Sequence, residues 1–173
     1  MSSGRSSDQV VSAWRAAGER GDAPAAAECL ASNVTVISPL TAQFRFHGRD
    51  DARDMLVAAF EVIHDIRFHT EVGDANTRAL FYHAYAGDQA IEEAQLLRLD
   101  ADGLIVELTL FGRPLPGLTA VMADIGPRLL RYQKRPTLAR IVALATAPLA
   151  AMTRLGERRL VPLADPARPT RRR

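Results

Sequence analysis

Apolar residues first recur at helical spacing over residues 9–20, where Val10, Val11, Trp14 and Ala17 share one side. Asp8 is placed to cap this helix and Gly21-Asp22 to end it. Residues 23–30, with Pro24 in the first turn, predict a short second helix. The β-branched run 34–38 predicts a strand stopped by Pro39, and 43–47 a second short strand closed by Gly48. Asp50 is placed to cap a third helix over about 51–64, with Met55, Leu56, Ala59, Phe60 and Ile63 on its apolar stripe. The period then changes to two. Residues 66–72 alternate as a strand, and three more follow at 79–86, 89–100 and 104–112, with turns at Gly87-Asp88 and Ala101-Asp102-Gly103. Helices followed by an antiparallel meander predict an α+β fold: a cone-shaped curved antiparallel sheet with helices closing a central pocket. Read by twos, Phe81, His83, Tyr85, Glu93, Gln95, Leu97, Leu108 and Leu110 share one face of the last three strands. That face is mostly apolar but holds an imidazole, a phenol, a carboxylate and an amide, as the wall of a partly dry pocket would.

A chain of 173 residues suits one core, and its 47% apolar and 24% charged content is that of a soluble globular domain. The single cysteine, Cys29, excludes an intramolecular disulfide and reads as a buried structural thiol in an alanine-rich run. The polar first seven residues lack the apolar core of a secretory leader, which predicts a disordered lead-in and a cytoplasmic protein. Charge divides the chain. Residues 128–173 hold 12 basic and two acidic residues, a net of +10, whereas residues 1–127 carry −8. The chain therefore reads as a domain over 1–127 and a basic, partly helical C-terminal extension over 128–173, with 165–173 disordered. Within it, 119–132 predicts a helix interrupted or restarted at Pro127, and 137–155 is strongly apolar. The uncharged run 141–153 contains Pro148 and falls short of the roughly 20 residues a membrane span needs. With arginines on both flanks, it is read first as packing on the domain or a dimer mate. A peripheral contact with the inner face of an anionic membrane comes second. Nucleic acid comes last, because aromatic interleaving and any recognised module are missing.

Five segments taken together carry a resemblance: WRAAGERGD at 14–22, VTVISP at 34–39, HGRDD at 47–51, LRLDADGLIVEL at 97–108 and FGRP at 111–114. In order and spacing they resemble the nuclear-transport-factor-2-like, or SnoaL-like, superfamily over about residues 8–127. The resemblance implies a cone-shaped barrel with a deep apolar pocket and a homodimer. It also implies company with ketosteroid isomerases, polyketide cyclases, limonene epoxide hydrolases, scytalone dehydratases and non-catalytic modules, among which fold alone does not choose. Where ketosteroid isomerases carry a base aspartate before proline, this chain has Ser38. Where they carry an oxyanion-hole tyrosine it has Trp14, and at their protonated aspartate it has Gln95. Where epoxide hydrolases of this fold carry an aspartate on the last strand, it has Leu110. These departures argue against both mechanisms.

What remains is His83 and Glu93, nearly opposite on neighbouring strands, where Cβ atoms lie about 4.5–5.5 Å apart. A carboxylate beside an imidazole raises its pKa and fixes its tautomer, half of an acid–base device. The expectation is therefore His83 and Glu93 as the catalytic pair, with Gln95, Trp14, Ser38, Tyr85, Phe81 and Leu110 against the ligand. His69 alternates onto the other face. The ligand would be a hydrophobic ring system of polyketide or terpenoid kind, turned over by isomerase, cyclase, dehydratase or hydrolase chemistry. The alternative is a binding module of the same fold that holds such a molecule, or a partner protein, without turnover. An inward His–Glu pair could also satisfy itself, and Glu93 could face a dimer mate. Asp50, Asp51 and Asp54 read as helix cap and first-turn acids, and no spacing resembles a metal site, a phosphate loop or a dinucleotide fingerprint. No metal and no organic cofactor are implied.

Overall fold

Ser6 opens the first helix, α1 (Ser7–Arg20): its hydroxyl accepts from Gln9 N, and the Gln9 side chain accepts from Ser6 N. Asp8 therefore sits inside the first turn, where it meets Arg78, instead of at the cap. Gly21 ends the helix at φ 66°, a left-handed conformation that glycine adopts freely. This computed structural model describes residues 6–166. Of the lead-in expected to be disordered over 1–7, Ser6 and Ser7 are ordered as the cap and first residue of α1; the rest of it, and residues 167–173 of the end expected to be disordered over 165–173, lie outside the described residues. Asp22 caps α2 (Ala23–Ala27), which is shorter than its pattern suggested because β1 (Leu30–Ile37) starts early, with Leu30 and Ala31 already buried. There follow β2 (Phe46–His47), α3 (Gly48–Phe60), β3 (Ile63–Gly73), β4 (Thr77–Ala86), β5 (Gln89–Leu99) and β6 (Ile105–Arg113). Two helices follow among the described residues, α4 (Leu115–Tyr132) and α5 (Pro136–Arg159), with a 3-10 turn at Val161–Ala164. His47, not Asp50, stands at the N-terminus of α3; Asp50 and Asp51 lie in its first turn.

The six strands form one sheet in the order β2-β1-β6-β5-β4-β3. All neighbours are antiparallel except β1 and β6, which run parallel. The fold is thus α+β on a mixed sheet, not a purely antiparallel one. The long-range β1–β6 pair sets Val36 beside Leu108, both fully buried. Against this concave face α1 presents Val10, Val11, Trp14 and Ala17, and α3 presents Met55 and Leu56. A second apolar cluster joins Ile63, Ile66, Tyr82 and Ile91 to Val121 of α4.

The β4–β5 register corrects the sequence reading. Ala86 pairs with Gln89, so Tyr82 faces Glu93, Leu80 faces Gln95, and His83 faces Glu92. Directly opposed residues point the same way, so a slip of one residue sends every side chain of β4 to the other side.

Helix α4 crosses the open end of the sheet. Gly117 lets it approach β5, since a Cβ there would lie 2.3 Å from Ile91 Cγ2. The helix runs unbroken through Pro127 instead of restarting there. Helix α5 folds back on α4 through small residues: Ala139 and Ala150 are buried, and the Thr119 and Thr153 hydroxyls lie 2.6 Å apart. Pro148 is likewise carried inside a continuous helix, so the apolar element is longer than its uncharged core. By length and composition alone, Pro136–Ala164 would suffice to cross a membrane.

Candidate functional site

The concave face, α3 and the α4–α5 pair enclose a cavity of about 350 Å³. Its walls are apolar, with Met55, Leu56, Ile66, Leu108 and Leu110 from below and Leu118, Val121 and Met122 from α4 above. Val142 and Thr146 of α5 also reach it. A hydrogen-bonded cluster of polar side chains lies where β4, β5 and α1 meet. Alternation on β5 turns Glu93 and Gln95 inward, both only 8% exposed. The β4 register brings Tyr82, 3% exposed, opposite Glu93, and the helical period of α1 brings Trp14 down onto Gln95.

A directional chain of hydrogen bonds links the four. Trp14 Nε1 donates to Gln95 Oε1 at 2.8 Å, and Gln95 Nε2 donates to Glu93 Oε1 at 3.3 Å. Tyr82 OH donates to the same oxygen at 2.8 Å. The indole N–H can only donate, so it fixes the Gln95 amide with its oxygen toward Trp14 and its NH₂ toward Glu93. Burial raises the Glu93 pKa from an ordinary 4.5 to about 7, although the bonds from Tyr82 and Gln95 pull it down. Burial, then the charge and hydrogen bond of Glu93, push Tyr82 well above its usual value. Glu93 Oε1 accepts both bonds, which leaves Oε2 to carry the proton. Near neutrality this is a carboxyl that can donate a hydrogen bond to an oxygen in the cavity, or exchange a proton with it.

Of the residues expected against the ligand, Glu93, Gln95, Trp14, Ser38 and Leu110 line the cavity. Ser38 Oγ also accepts from Leu40 N at 3.2 Å in the turn after β1. His83, Phe81 and Tyr85 do not line it. They stand on the outer face of the sheet, as the one-residue register difference requires, and the expected His83–Glu93 pair is not formed. His83 is exposed and stacks on His69 at 4.3 Å between ring centroids, while Tyr85 stacks on His64 at 6.0 Å. His69 Nε2 lies 3.8 Å from Glu92 Oε1. His69, His83 and Glu92 bring ligand-type atoms within 4.8 Å of one another, but the Arg113 guanidinium already holds the Glu92 carboxylate. The residue missed from sequence is Tyr82. Counting outward from Gly87-Asp88, with Ala86 against Gln89, assigns it opposite Glu93.

Three comparisons bear on this geometry. The sequence model of the SnoaL-like domain matches residues 11–108. None of the curated proteins is similar enough to match. Among solved structures, a steroid delta-isomerase from Pseudomonas aeruginosa superposes with a TM-score of 0.68 at 24% identity, over 74% of this chain and 94% of that one. An NTF2-like protein from Cytophaga hutchinsonii gives 0.56 at 20% identity, over 67% and 97%. SalBIII, an epoxide hydrolase/cyclase-like enzyme of pyran ring formation in salinomycin, gives 0.53 at 16% identity, over 62% and 90%. At these identities the likeness is one of fold.

Proposed function

The chain belongs to the SnoaL-like domain family, and from that premise we propose that it binds a hydrophobic small molecule in its cavity and transfers a proton to or from one oxygen-bearing centre through Glu93. The observation that carries this reading is the carboxyl itself, buried in an apolar wall and held by Tyr82 and Gln95 with a pKa near 7. In its neutral form Glu93 donates to a ligand carbonyl or ether oxygen and polarises it. Once ionised, it is stabilised by the Tyr82 and Gln95 bonds and can take the proton back. Isomerase, cyclase, dehydratase and hydrolase chemistries all draw on such a group. The steroid delta-isomerase and the epoxide hydrolase/cyclase-like enzyme support an enzyme at the level of fold alone. Ser38 and Leu110 still depart from the sets those families use, so the reaction would rest on Glu93 and Tyr82.

One observation favours the second reading, a binding module without turnover. Among the described residues lining the cavity, the other carboxylate is Glu92, and Arg113 already holds it, so Glu93 lacks a free second acid to share the chemistry. Both readings require the ligand contact, so it is tested first. Trp14 is the chain's single tryptophan and lines the cavity, so its fluorescence reports occupancy. With 1-tetralone, a fused-ring ketone that only accepts hydrogen bonds, the affinity of the wild type falls about tenfold from one pH unit below the Glu93 midpoint to one unit above it. Glu93→Leu binds without pH dependence, and His83→Ala binds as wild type. Absence of quenching, or a wild-type affinity independent of pH, overturns the proposal. A turnover screen of ring ketones and epoxides, compared with Glu93→Gln, then separates the enzyme from the module.

A further inference from the structure

Helix α5 is amphipathic the wrong way round for a helix that only caps a domain. The side packed on α4 is made of small residues, Ala139 and Ala150 with Thr146 and Thr153, and Gly126 of α4 lies against Val142. The large apolar residues point away. Ile141, Leu144, Pro148, Met152 and Leu155 follow the spacing of one helical face, and none is buried. Leu144 is 77% exposed and Met152 69%. Leu160, Val161 and Leu163 carry the exposed apolar surface on into the 3-10 turn. Such a continuous apolar strip on a small chain marks an interaction surface.

Charge selects the occupant. From Ile125 to Gly156 the chain has no acidic residue, while Arg128, Arg131, Lys134, Arg135, Arg140 and Arg154 fall within it and Arg158 and Arg159 just beyond. Arg140 and Arg158 lie about five helical turns apart, on the same flank of the apolar strip. The acids nearby are few: Asp88 is within 3.5 Å of Arg154 and 3.8 Å of Arg158, Arg128 meets Glu61 and Asp124, and Glu157 follows the strip. A second copy is a poor partner for this face. An antiparallel pair of α5 helices would set Arg135 and Arg140 of one against Arg158 and Arg159 of the other, and a parallel pair would set like against like. An anionic lipid surface takes up both the apolar strip and its basic flank.

We propose that α5 lies in the plane of an anionic membrane, with Ile141, Leu144, Met152 and Leu155 among the acyl chains and the flanking arginines against the headgroups. It lies on the bilayer and does not cross it, because its small-residue side stays packed on α4, which covers the cavity. If the ligand reading above holds, an apolar ligand could pass from lipid to cavity beside this helix, but the docking surface stands without that reading.

The test is co-sedimentation of the full chain with vesicles of equimolar phosphatidylcholine and phosphatidylglycerol, and with phosphatidylcholine alone. The wild type partitions to the anionic vesicles at least about tenfold more strongly than to the neutral ones, and added salt weakens the binding. A Leu144→Ser/Met152→Ser/Leu155→Ser variant lowers partitioning by more than about tenfold with unchanged unfolding, since all three side chains are exposed. Arg140→Glu/Arg159→Glu lowers it on anionic vesicles. Failure of the wild type to bind anionic vesicles overturns the proposal, as does binding by the triple variant equal to wild type. A wild-type dimer that the triple variant abolishes, with no vesicle binding, assigns the strip to a second copy and also overturns it.

Discussion

Wild-type protein is expected to lose about 3 kcal/mol of folding stability as pH rises from below 4.5 to above about 7, and Glu93→Gln is not. The sign follows from where the proton sits. The carboxyl has a raised pKa when folded, so between these limits the folded chain keeps a proton that the unfolded chain has released. Stability is fully present below the unfolded value and is lost as pH climbs through the folded one. Glutamine is neutral throughout, can still accept from Tyr82 and Gln95, and fills nearly the same volume. The variant is therefore more stable than wild type above neutrality, the usual cost of keeping an acid in a dry site. Other groups also titrate. Asp65 and Gly87 raise His64, and backbone N–H groups hold Asp74 low. They are common to both proteins and cancel in the difference. Urea unfolding across the pH range measures it. Parallel curves for the two proteins would mean that Glu93 is ionised at ordinary pH.

Trp14→Ala is expected to cost about 3–5 kcal/mol, and Trp14→Phe about 1–3. Trp14 is 3% exposed in the main apolar cluster, so alanine leaves a cavity where the indole packed. The phenylalanine variant separates packing from polarity. It keeps most of the apolar contact but leaves Gln95 Oε1 without its donor. The amide is then free to turn, and Glu93 loses a bond that lowered its pKa. Trp14→Phe therefore raises the Glu93 midpoint as well as destabilising the fold. Far-ultraviolet circular dichroism during urea unfolding reads the destabilisation. A Trp14→Phe variant within about 0.5 kcal/mol of wild type would show that the indole–amide bond contributes nothing net.

How far the sequence reached depended on the range of the interaction. Within one element, period fixes direction: Val10, Val11, Trp14 and Ala17 on α1, and Glu93, Gln95 and Leu97 on β5, could all be read as inward. Between strands, direction depends on register, and the two-residue turn at Gly87-Asp88 passes any error of one residue to the whole of β4. That is why Tyr82, and not the expected His83, stands opposite Glu93. At the first helix Ser6, not the expected Asp8, is the cap, because Gln9 three residues after it returns the hydrogen bond. The parallel β1–β6 pair joins segments some seventy residues apart, and no local signal announces it. On α5 the apolar residues were visible. Which side met α4 was not, because an alanine face gives way to a larger one only when a close neighbour demands it.

The central claim is that Glu93 holds a proton near neutrality inside an apolar cavity. Its most direct test is a carbon-13 NMR titration of the glutamate side-chain carboxyls, with the Glu93 signal assigned by its absence in Glu93→Gln. A midpoint near 7 is predicted; a midpoint at the ordinary glutamate value of 4.5 would contradict the account.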